Sequence, residues 1–82
     1  MASEHPITEI SAKCVSNSRV RITANLDGHA EITIELRRDG AQVIAESAKW
    51  HNGQGFASTV HVSRVPRNVM RVSKNLARDL LA

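Results

Sequence analysis

Eighty-two residues confine this chain to one domain, too small to hold both a core and a deep catalytic cleft. Hydrophobic residues make up 41% and charged residues 23%, as in an ordinary globular domain, while 2% aromatic residues and no Tyr leave the core to Ile, Val, Leu and Ala. The net charge of +3 permits an anionic partner without demanding one, and a single cysteine excludes an internal disulfide and fits a reducing, cytoplasmic setting.

The N-terminus "MASEHPITEI" lacks the basic-then-apolar pattern of a secretion signal, and residues 1–6 are expected to form a flexible tail turning at Pro6. No apolar run approaches the roughly 18 residues that cross a bilayer, so no membrane partner is expected. Next comes "ITEISAKCV", with Ile10, Ala12 and Cys14 on one side. Three turn signals then recur at near-equal spacing: Asp27-Gly28, Asp39-Gly40 and Asn52-Gly53. They separate the alternating, β-branched runs "RVRITANL", "AEITIELR", "AQVIAESAKW" and "FASTVHVS". Residues 7–63 are therefore expected to form an antiparallel meander of four to five strands.

Parity specifies a register, because cross-strand partners share a face. A bulged turn at "NLDGH" pairs Asn25 with His29, Ile22 with Ile32 and Val20 with Ile34, and sets Arg19 against Glu35. A two-residue Asp39-Gly40 loop pairs Leu36 with Val43 and Ile34 with Ala45. A two-residue Asn52-Gly53 loop pairs His51 with Gln54, Lys49 with Phe56 and Ala45 with Val60. All three hairpins then share one apolar face.

In "RVPRNVMRVSKNLARDLLA" the period changes to that of a helix, expected over 65–81 with Pro66 in its first turn. Val69, Val72, Leu76 and Leu80 form its apolar stripe, widened by Met70, Ala77 and Leu81. Arg67, Arg71, Lys74 and Arg78 form a basic stripe opposite. The fold class is α+β: one domain over 1–82, a meander backed on one face by a C-terminal amphipathic helix. The expected core is Ile10, Ala12, Val20, Ile22, Ile32, Ile34, Leu36, Val43, Ala45, Phe56, Val60 and Val62, set against the helix stripe.

Little in the chain carries chemistry. His5 is in the tail, His29 and His51 are at turns, and Cys14 points toward the core as a small hydrophobe. No Ser, His and acid converge, so a non-enzymatic role is expected, without small-molecule substrate, cofactor or metal. The "GQG" loop lacks the strand-to-helix setting of a phosphate loop.

Two surfaces remain as candidates. In the register above, Trp50, Ile44, Ala48 and Ala57 point away from the helix beside His61 and Glu46. An indole next to Ile on an open sheet face is expected to contact a protein partner or a second copy, with local cover by Ile7 as the alternative. The uncharged strand "FASTVHVS" offers an edge for pairing with a partner strand or its own copy. The helix stripe of Arg67, Arg71, Lys74 and Arg78, with Arg37 and Arg38 on the sheet, offers nucleic-acid phosphates a basic track; the plain alternative is a solvated helix face.

No motif matches a family residue by residue. In outline, strands that meander into one amphipathic helix resemble the positive-cofactor type of single-stranded DNA-binding coactivators. The same outline is similar to small phage inhibitors of bacterial defence, the anti-CRISPR class. The first resemblance implies nucleic-acid binding. The second implies a phage or mobile-element inhibitor acting by protein contact in the host cytoplasm, which is the leading expectation.

Overall fold

A computed structural model describes residues 6–26, 30–51 and 57–81. The alternating runs form five strands: β1 (Ile7–Cys14), β2 (Arg19–Leu26), β3 (Glu31–Asp39), β4 (Gln42–His51) and β5 (Ala57–Val60). They pair antiparallel in sequence order, and a 3-10 turn at Val62–Arg64 leads to helix α1 (Arg67–Leu80). This is the expected α+β meander with one C-terminal helix against the sheet. The expected turns at Asp27-Gly28 and Asn52-Gly53, with His29, Gln54 and Phe56, lie outside the described residues, as do residues 1–5 of the expected tail.

Period-two alternation makes the layers. Val20, Ile22, Ala24 and Leu26 of β2 and Ile32, Ile34 and Leu36 of β3 are buried on one face. Helix α1 covers them with Val69, Ser73 and Ala77, and with Leu81 just past its end. Each fully buried Val, Leu or Ile contributes about 1.5–3 kcal/mol, so these central strands dominate stability.

The registers differ from expectation, each for a local reason. Val20 pairs with Leu36, Ile22 with Ile34 and Ala24 with Ile32, two residues from the expected partners. The amide of Leu26 donates to the carbonyl of Ala30 at 2.8 Å, so β2 continues through Leu26 and buries it. A two-residue slip preserves every face, which is why the core on these strands is as expected.

Between β3 and β4 the tip is Gly40 and Ala41, flanked by paired Asp39 and Gln42, rather than Asp39-Gly40. Gly40 has φ +63°, a conformation glycine reaches without a Cβ clash and that a tight hairpin needs at its first central position.

Further along, Leu36 pairs with Ala45 but Glu35 with Ser47, leaving Glu46 with no opposite residue. This bulge inverts the face of all that follows on β4. The cause is legible in β4 itself, which carries apolar residues at 43, 45, 48 and 50. Strict alternation cannot place that set on one face, and one inserted residue can. Ala48 and Trp50 therefore turn to the helix side, opposite Ile34 and Ile32. The expected outward placement of Trp50 and Ala48 is corrected accordingly. Strand β5 follows, pairing Val60 with Ala48 rather than with Ala45.

Strand β1 is an edge. Ile10 is half-buried, but Ala12 and Cys14 are exposed although they face the helix side opposite Ile22 and Val20. Neither residue joins the core as expected. The helix is also rotated from its expected setting. Its buried line is Val69, Ser73 and Ala77; Val72 and Leu76 are half-buried, and Leu80 is 45% exposed. Small side chains at 73 and 77 let the helix approach the sheet, with Met70 and Leu76 packing at its flanks.

Candidate functional site

The sheet's outer face is the first surface. Its alternate positions are polar: Arg21 and Thr23 on β2, Thr33 and Glu35 on β3, and Ser47, Lys49 and His51 on β4 line a hollow of about 530 Å³. Register brings opposite charges together here. Arg21 donates twice to Glu35 Oε1, at 3.0 and 3.3 Å. Glu46, freed by the bulge, receives Arg37 at 3.1 Å and lies 3.5 Å from Arg19. This polar hollow was not foreseen, because the expected register filled the outer face of β4 with Trp50 and Ala48. The run of Thr, Ser and charged residues alternating with Ile was its sequence signal.

The four residues expected to make an apolar contact do not assemble into one. Ile44 lies opposite Arg37 on the outer face, and Glu46 is beside it in its ion pairs. Trp50 packs against the core cluster from the other side. His61 follows β5 and caps the 3-10 turn: its Nδ1 accepts the Ser63 amide at 3.2 Å and lies 2.8 Å from the Ser63 hydroxyl. His61 and Glu46 line one hollow of about 330 Å³ with Ser47, Thr59, Val60 and Val62, without Ile44 or Trp50.

The helix forms the second surface. Arg67, Arg71 and Arg78 are exposed and Lys74 is half-buried, in one stripe that lies about 100–160° around the helix from Ser73, with Lys74 nearest the sheet. Among the described residues, every ion pair is on the sheet, so none of these four cations meets a carboxylate. Among the described residues, Arg78 donates to the Asn75 side-chain Oδ1, at 3.3 Å. Arg64 in the preceding 3-10 turn is a further exposed cation and was not singled out from sequence.

Arg37 and Arg38, expected together, are on opposite faces. Arg38 turns to the helix side and donates to the carbonyl of Leu81 at 2.9 Å, tying the end of α1 to the hairpin. It lines a hollow of about 140 Å³ with Arg78, Gly40, Ala41, Gln42, Val43 and Leu81. Arg38 therefore belongs to the helix track, and Arg37 to the sheet.

The first turn of α1 contains no acidic residue and begins with Arg67. A cation there opposes the helix dipole and costs roughly 0.3–1 kcal/mol. Helix stability does not explain its placement.

Among the described residues, no three of His, Cys, Asp and Glu cluster as metal ligands, and no helix is long and apolar enough to cross a membrane. Fold and surfaces together define a small α+β domain with a polar, internally paired sheet face and a cationic helix face. No protein family, curated protein or solved structure matches the chain.

Proposed function

We propose that this chain is a non-enzymatic binding protein that contacts nucleic-acid phosphates through the outward face of α1. The observation that supports this most is the separation of charge. Residues 62–81 carry five cations and one carboxylate, a net of +4, against +3 for the whole chain. The other 62 residues are close to neutral, and on the sheet Arg21 pairs with Glu35, and Arg19 and Arg37 with Glu46. Unpaired cations along one face supply the sequence-independent part of nucleic-acid affinity. With Trp50 packed against the core and Tyr absent, base stacking contributes little, so contacts to the phosphate backbone dominate.

The test is fluorescence anisotropy with labelled duplex and single-stranded DNA and RNA at low salt. Binding that is lost in Arg71→Glu/Arg78→Glu supports the reading. No binding at low salt overturns it.

A second reading is favoured by the open sheet edges. Strands β1 and β5 each have a neighbour on one side only, and the hollow between Glu46 and His61 adjoins β5. Such edges suit strand addition by a protein partner. Under this reading the chain is a phage or mobile-element inhibitor, anti-CRISPR-like, acting in the host cytoplasm. Capture of a partner from host lysate that persists after nuclease treatment and is lost in His61→Ala would select it.

A further inference from the structure

We propose that β1 is the seam of a homodimer, in which two copies pair antiparallel about a two-fold axis at Ser11. The reason is self-complementarity along the open edge of this strand. Glu9, Ser11 and Lys13 share the outer face, opposite Asn25, Thr23 and Arg21 of β2. Placing Ser11 against Ser11 of a second copy sets Glu9 of each copy opposite Lys13 of the other. On the helix side the same register sets Ile10 opposite Ala12 of the second copy. An isologous interface requires this kind of match, in which one patch is its own complement.

Three features of the single chain fit this seam. Lys13 is opposite Arg21, and like charges directly across a sheet are unfavourable. Arg21 is taken by Glu35, whereas neither Glu9 nor Lys13 forms an ion pair among the described residues. Ala12 and Cys14 face the helix side uncovered, and among the described residues the large hydrophobic ones that stay exposed are Val15, 49% accessible, and Leu80, 45%. Val15 directly follows β1. Leu80 ends α1, which Arg38 ties to the same end of the sheet through its amide on the Ser18 carbonyl and its guanidinium on that of Leu81. The bulge between Ile7 and Glu9 limits the pairing to Glu9 through Lys13 and fixes its register. This seam differs from the β5 edge, and it stands whether or not α1 binds nucleic acid.

The experiment is sedimentation equilibrium on the full chain, run from the detection limit to the solubility limit. The wild type is expected to self-associate. Lys13→Glu sets carboxylate against carboxylate twice and weakens association by about tenfold. Glu9→Lys/Lys13→Glu restores the pairs in reverse and recovers the dimer. Glu9, Ser11, Lys13 and Cys14 are all exposed, so circular dichroism is expected to show an unchanged fold in each variant of these positions. In a Cys14→Ser background, Ser11→Cys oxidises to a covalent dimer, because facing residues at the axis have Cα atoms about 5 Å apart, within disulfide range. Native Cys14 does not cross-link, since its two copies are about 20 Å apart in this register. A monomer at every concentration overturns the proposal. So does a dimer indifferent to Lys13→Glu, or one that the double exchange fails to rescue.

Discussion

The indole of Trp50 lies on the helix side because Glu46 has no opposite residue on β3. Its role follows from that single insertion. Packed against the core cluster opposite Ile32, Trp50 contributes to stability rather than to an open contact patch. Removing a fully buried aromatic side chain costs about 3–5 kcal/mol, and for half-buried Trp50 the expected cost of Trp50→Ala is about 2 kcal/mol. Denaturant unfolding of the two proteins measures it directly. An unchanged midpoint would return Trp50 to the surface. Strict alternation misplaces this residue because each step along a strand assumes that none is inserted. The apolar set at 43, 45, 48 and 50 carried the correction, and it becomes decisive only when the helix-facing sides of β2 and β3 are known. Cys14 illustrates a different gap. Its face is legible from period two, but its exposure depends on how far the helix reaches across the sheet, which no local pattern encodes.

Strand identity and order were legible because β-branched alternation and the three Gly-containing turn signals agree. Registers were less so, since a slip of two residues preserves every face and leaves the same apolar count buried. The helix shows the same division. Its existence and basic stripe follow from the period, whereas its rotation depends on packing and its start falls at Arg67, after Pro66, rather than at residue 65. The expected stripe chose the largest apolar residues, Leu76 and Leu80, but close approach to the sheet favours the small ones at 73 and 77. That choice places Ser73 fully buried, with its hydroxyl oxygen lacking a hydrogen-bond partner. A buried unsatisfied polar atom costs about 1–3 kcal/mol, and Ala exceeds Ser in helix propensity by several tenths. Ser73→Ala keeps the small volume and removes the hydroxyl. It is expected to stabilise the protein by about 1 kcal/mol, raising the melting temperature by roughly 4–8 °C in a domain of this size. A lowered melting temperature would show that the hydroxyl has a partner in solution.

Charge divides the whole molecule into two sides. On the sheet Glu35 and Glu46 neutralise Arg21, Arg37 and Arg19 at 3.0–3.5 Å, while Arg64, Arg67, Arg71, Lys74 and Arg78 have no such partners among the described residues. A dimer joined at β1 by an axis normal to the sheet would place both helices on one side, so two cationic faces would meet the same polyanion. Salt titration separates these contributions. Each phosphate neutralised on duplex DNA adds about −0.9 to the slope of log affinity against log salt. Four or five helix cations therefore predict a slope near −4 for one protomer. Arg71→Glu/Arg78→Glu is expected to flatten that slope by about 2, and the exposure of both side chains leaves the fold intact. Arg37→Ala should leave it unchanged, because that side chain is engaged by Glu46 on the opposite face. If Arg37→Ala flattens the slope as much as the helix exchange does, the phosphate track runs over the sheet instead. The steepness for long duplexes then reports the dimer: Lys13→Glu should weaken binding to long duplexes while leaving short ones, which accommodate one helix, nearly unaffected.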